Sequence, residues 1–211
     1  MQLVLLGGGG HGLVVAEAAG LLGMPIVGVF DDDERCELCR GSGAPRRLGA
    51  LSGLDGVSIP WILCVGDLAA RERLLTGLAG STGPATVVAH PVSFVSPSAR
   101  LGGGVYVGPR AVVHAQARVR PHAIVNTGAL VEHSCELALG AHVAPGAVLG
   151  GGVSIGAYAL VGLGARVLPG VRIGARCVVG AGALVREDVP EGTRVAGVPA
   201  REITRRAARR R

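Results

Sequence analysis

From Val95 to Val189 branched aliphatic residues return every six positions. Cut into blocks, the stretch runs VSPSAR, LGGGVY, VGPRAV, VHAQAR, VRPHAI, VNTGAL, VEHSCE, LALGAH, VAPGAV, LGGGVS, IGAYAL, VGLGAR, VLPGVR, IGARCV, VGAGAL, VREDVP. The first position is Val, Leu or Ile in all 16 blocks, and the fifth is Ala, Val or Cys. A hexad this regular is the mark of a β-helix. A short strand carries the branched residue inward, a small residue completes the layer, and Gly, Pro or polar residues turn the corner. Three hexads close one triangular coil, so 16 hexads make a little over five coils, with residues 18 apart stacked on one face. Each coil is stabilised by its neighbours rather than alone.

The first ~90 residues follow a different rhythm, one of alternating strands and helices. Strands are predicted over 2–6, 25–30, 61–65 and 85–89. Helices are predicted over 13–22 and 67–78, the second with Asp67 as N-cap. Residues 34–58 carry no period and are read as irregular. Alternating β and α segments argue for a parallel sheet. The expected organisation is therefore a Rossmann-like domain over 1–90, a β-helix with a closing segment over 91–203, and an Arg-rich tail over 204–211, expected to be disordered.

Composition narrows the picture. The chain is 49% hydrophobic yet has only two Phe, two Tyr and one Trp, so its core is aliphatic. Its basic residues are 21 Arg and no Lys, for a net charge of +6, with five of the arginines in the tail. No aromatics interleave with them, which argues against nucleic acid as a partner. Five cysteines leave one unpaired, Cys135 and Cys177 fall on inward hexad positions, and Cys36-x-x-Cys39 lacks the second pair a zinc site needs. With neither a signal peptide nor a membrane span in the pattern, a cytoplasmic protein is expected.

Two places carry candidate chemistry. Gly7-Gly8-Gly9-Gly10-His11-Gly12 contains G-x-G-x-x-G between a predicted strand and a predicted helix, with Asp31 lying 19 residues past Gly12. Backbone N–H groups at such a helix start can face a pyrophosphate. One mononucleotide-binding half is too little for a dinucleotide, so a nucleotide-linked substrate is the better fit. In the coil, His133 takes the third position of VEHSCE, outward and near a corner. A neutral imidazole there can act as general base on an amine or hydroxyl attacking a thioester. Gly151 lies 18 residues on, one coil above, where a bare N–H can meet a developing oxyanion. His114 and His122 read as ordinary surface residues.

GGGGHG, VFDDD, VGDLAARERL, NTGALVEHSCEL and AGVPARE, taken in order, resemble the sugar acyltransferases of the PglD/NeuD-type family. The likeness spans nearly the whole chain, and N-T-x-x-x-x-E-H is its most specific part. It implies a left-handed coil, a homotrimer with sites between subunits, acetyl-CoA as co-substrate and no metal. It also implies N-acetylation of a nucleotide-linked amino sugar. By position, His133 is the base, and Asn126 and Glu132 shape its surroundings. His142, Leu163 and Ala181 fall where acetyl-CoA is contacted. Gly9, Gly10 and His11 match the sugar-nucleotide loop, Asp31 and Asp32 its nucleotide end, and Gly66 borders the same crevice. The chain departs from the family at Ser134, where an acidic residue usually follows the histidine. O-acetylation of a sugar such as sialic acid, a γ-carbonic-anhydrase-like metalloenzyme and a silent scaffold are the alternatives.

Overall fold

The computed structural model describes residues 1–53, 58–78 and 83–203. The Arg-rich tail lies outside the described residues. In the N-terminal α/β domain, β1 (Leu3–Leu6), β2 (Ile26–Phe30), β3 (Arg47–Gly49) and β4 (Trp61–Leu63) form a parallel sheet in the order β3-β2-β1-β4. Helices α1 (Gly10–Leu21) and α2 (Leu68–Gly77) connect it. α1 begins at Gly10, three residues before the apolar period becomes visible, because the glycines that open it carry no hydrophobic signal. Asp67 caps α2 as expected, its Oδ1 accepting from Ala70 N–H at 2.8 Å.

Two expectations need correction. The irregular stretch supplies an edge strand, β3, held against β2 with the Val29 N–H donating to the Arg46 carbonyl at 2.9 Å. Three residues are too few for a period to show. The strand expected over 85–89 does not join the N-terminal sheet. Ala85 makes a single bridge to Trp61, and Val88–Ala89 pairs with Tyr106–Val107 as the first rung of the coil. An apolar run of this length fits either sheet, and only tertiary pairing decides.

Beyond it the chain winds as a left-handed parallel β-helix in three sheets of eight, six and five strands, all of two residues except Arg194–Ala196, which the closing strand Arg201–Glu202 joins antiparallel. Within the hexads each strand takes the last residue of one hexad and the first of the next. Val107, Val125, Val143 and Val161 stack inward with no exposed surface, and Ala111, Ala129, Ala147 and Ala165 fill the corners between. Cys135 and Cys177 are buried in the same core, as the hexad predicted. The fourth hexad position turns the corner in the left-handed region at six non-glycine residues, among them His122, Ser134 and Tyr158. Such residues pay a strain of roughly 1 kcal/mol each. The ladder stabilises the corner in return, as in the Ser134 N–H bond to the Ala115 carbonyl at 2.9 Å.

The eight-stranded sheet faces the N-terminal domain. Tyr106 and Ile124 on it are buried in one cluster with Leu3, Leu5, Val15 and Ile62. Trp61 stacks on His122 at 5.2 Å between ring centroids. His122 is therefore part of the junction between the domains and not an ordinary surface residue.

Candidate functional site

The glycine loop is shaped by close approaches. Gly7 has φ +108°, which a side chain rarely adopts. A Cβ on Gly12 would sit 2.6 Å from the Gly7 carbonyl oxygen, so only glycine lets α1 rise this close to β1. Gly9 faces open space. The first turn of α1 has neither an acidic residue nor a side-chain cap, so its N–H groups and dipole are left to a ligand. Loop and helix open into a cleft of about 570 Å³ at the C-terminal ends of β1, β2 and β4. It is lined by Gly9, Gly10 and His11, by Asp31 and Asp32, and by Gly66 opposite. That is where an open parallel sheet takes its ligand, at the point where strand order reverses.

The two aspartates differ. Asp31 accepts from Gly8 N–H at 2.6 Å and from Asp33 N–H at 2.8 Å, so each of its oxygens already holds one hydrogen bond that shapes the loop. Asp32 is exposed and engages one oxygen, with Leu51 N–H at 3.0 Å, leaving the other toward the cleft. Arg73 of α2 adds a cation to the lining, which sequence inspection passed over. Its only signal was a position six residues after the N-cap of a crevice helix.

Behind the cleft lies Arg71, wholly buried. Its Nη1 donates to the Leu63 and Val65 carbonyls at 3.2 and 2.8 Å, and its Nη2 to the His122 carbonyl across the junction. Burial lowers its pKa to about 10, which leaves it a cation at neutral pH. Three imidazoles feel it. Burial first and then Arg71 lower His11 to about 3, with a smaller contribution from His142, and lower His142 and His122 to about 4.

His133 is exposed at the corner between the six- and five-stranded sheets. Gly151 lies directly against it: a Cβ there would come within 2.6 Å of Nε2. The backbone of the next coil thus presses on the imidazole as the 18-residue stacking predicts. Glu132 Oε2 accepts from His133 N–H at 3.1 Å, and Ser134 Oγ lies 3.4 Å from Nδ1. Asn126 is not beside His133 in its own chain. It pairs with His142, Nδ2 to Nε2 at 3.2 Å, near the opposite edge of the six-stranded sheet. Leu163 and Ala181 are exposed on that same edge rather than packed into the coil.

The histidines of the coil do not converge. His114 and His133 occupy one edge, His122 another, and His142 the sheet facing the N-terminal domain. Among the described residues no three metal-binding side chains cluster, all five cysteines are free thiols, and no helix is long and apolar enough to cross a membrane.

Residues 2–78 match the family of the PglD N-terminal domain. PerB from Caulobacter crescentus, solved with CoA and GDP-perosamine, is 37% identical, with 97% of this chain and 98% of that chain covered at a TM-score of 0.87. The acetyltransferase domain of PglB from Neisseria gonorrhoeae, in complex with acetyl coenzyme A, is 36% identical, with 96% and 98% covered at 0.88. WeeI from Acinetobacter baumannii shares the fold at 21% identity, with 96% and 100% covered at 0.80. No curated protein matches the chain in sequence.

Proposed function

The chain belongs to the PglD-type family of sugar acyltransferases, and from that premise we propose that it N-acetylates a nucleotide-linked amino sugar, with acetyl-CoA as donor and His133 as general base. The observation that carries the reading is the bare backbone of Gly151 against the exposed His133 ring. In this mechanism the sugar amine attacks the thioester carbonyl as His133 takes its proton. The Gly151 N–H donates to the oxyanion of the tetrahedral intermediate. The C–S bond then breaks, and the imidazolium returns the proton to the CoA sulfur.

The N-terminal cleft holds the nucleotide: N–H groups of Gly9, Gly10 and His11 meet the diphosphate, and Asp32 accepts from the base. Acetyl-CoA lies along the edge that bears Leu163 and Ala181. Free thiols and both co-substrates fit a cytoplasmic setting.

The site is assembled between copies. His133 stands on the edge opposite the sheet that the N-terminal domain covers, which supports a cleft that serves the base of a neighbouring copy. Outward on the six-stranded sheet stand Phe94, Val112, Leu130, Val148, Arg166 and Leu184 in one ladder. Three copies turning this ladder to a common axis set the His133 edge of one against the Asn126, Leu163 and Ala181 edge of the next. This is the homotrimer the family resemblance implies.

The test is mass-spectrometric detection of acetyl transfer from acetyl-CoA to a panel of UDP-, GDP- and dTDP-amino sugars and free sialic acid, with His133→Ala in parallel. An acetylated nucleotide sugar that vanishes in the variant supports the reading. Acetylated sialic acid moves it to a hydroxyl acceptor. Failure to bind acetyl-CoA at all overturns it.

A further inference from the structure

Asn126 and His142 share a feature that neither the coil nor the general base uses. The Thr127 N–H donates to Asn126 Oδ1 at 2.8 Å, and this settles which way the amide faces. Its Nδ2 then points at His142 Nε2, 3.2 Å away. An amide nitrogen only donates, so Nε2 is the bare nitrogen of the ring and the hydrogen sits on Nδ1. The backbone enforces the pairing: Ile124 and His142 are partners in register, and Asn126 follows that rung.

The ionisable groups turned toward this ring are His11 from α1 and Arg71 from α2. Tyr106 makes edge contact with His11, and Tyr158 lies near enough to couple with Arg71. Arg71 donates to three backbone carbonyls and, among the described residues, pairs with no carboxylate. Its charge is therefore unneutralised, and a second cation beside it is disfavoured.

We propose that Asn126 is a positioning residue that locks His142 in the Nδ1–H tautomer, on a rung where burial first, and then the Arg71 guanidinium, keep the ring uncharged. The domain-facing sheet then offers one neutral N–H donor, of fixed direction, to a carbonyl oxygen of the acyl donor. The identity of that acceptor rests on the acetyltransferase reading; the lock itself does not.

The experiment is ¹⁵N-histidine labelling of the full chain, followed by long-range proton–nitrogen correlation from pH 8 to 5. His142→Gln assigns the signal. The expected spectrum is that of a neutral Nδ1–H imidazole across the whole range. Asn126→Asp puts an obligate acceptor at Nε2, so it should move the hydrogen to that nitrogen and bring protonation of His142 into the range. In the same variant KM for acetyl-CoA should rise about tenfold to a hundredfold, the effect of losing one oriented buried hydrogen bond. Affinity for the nucleotide sugar should hold. A wild-type His142 in the Nε2–H form, or one that titrates between pH 8 and 5, overturns the lock. So does an Asn126→Asp spectrum identical to wild type. The predicted spectrum in a protein that transfers no acetyl group would count against the acyl donor and leave the lock standing.

Discussion

The six- and five-stranded sheets of the coil stack the same two-residue strands at the same interval of 18 residues. From the second coil on, the second residue of each strand is buried in both. They differ in what the first residue turns outward. One ladder reads Phe94, Val112, Leu130, Val148, Arg166, Leu184, and the other Arg100, Arg118, Glu136, Ser154, Arg172. A strand alternates its faces, so a hexad leaves one strand residue free of the core. The fold is written at the inward positions, and the proposed assembly at the outward ones. A sheet whose outward ladder is mostly apolar needs a partner, whereas a charged one is content with water.

Leu130→Glu strikes the contrast hardest. A carboxylate in the middle of the apolar ladder should leave the coil folded by circular dichroism but dissociate the oligomer by analytical ultracentrifugation, and acetyl transfer should fall to background. A variant that stays assembled and active would remove the case for that sheet as the interface. Next comes His133→Asn. It should keep both ligands while turnover drops about 10²- to 10⁴-fold, as loss of a general base does.

The third, domain-facing sheet should answer to acid. His11, His122 and His142 have folded-state values lowered to about 3, 4 and 4, below the 6.5 of the unfolded chain. Between those limits the unfolded state binds more protons. The stabilisation is full above pH 6.5 and is lost as pH falls toward 4, by up to about 1.4 kcal/mol per pH unit for each histidine. Urea unfolding at pH 7.5 and 5 reads it, and equal midpoints would refute it.

Ser134→Asp should give a smaller change. Ser134 holds a left-handed corner that aspartate tolerates, with its Oγ 3.4 Å from His133 Nδ1. A carboxylate there steadies the imidazolium formed in the step, and kcat should rise several-fold near neutral pH. No rise would assign that task to a carboxylate already present, Glu132 or Glu136. Arg118→Glu on the charged sheet should do least. It breaks an exposed 3.5 Å ion pair with Glu136, worth about 0–1 kcal/mol, and leaves assembly and turnover as they were.

Much of this was legible in the chain. The hexads gave the coil, and the glycine spacing gave the loop, because both depend on local residues at fixed intervals. The stacking of Gly151 on His133 followed from an 18-residue count. Other features depended on three-dimensional pairing. Val88–Ala89 chose the coil over the N-terminal sheet, and β3 was too short to signal itself. Asp31 reads from the sequence as a ligand-binding carboxylate, and its second task, holding the loop through Gly8 N–H, shows only in three dimensions. Arg71 looks like one more surface arginine of an amphipathic helix, and its burial follows only from the docking of α2 against the His122 corner.

That arginine bears on how this protein can be recombined. Two of its carbonyl acceptors come from the strand end that borders the cleft, and the third from a corner of the coil. The third acceptor is a main-chain carbonyl, so a graft of residues 1–78 onto a foreign coil keeps the guanidinium satisfied only where that coil brings a corner carbonyl to the same place. What such an exchange has to match is the path of the backbone at this corner, not the side chain that stands on it.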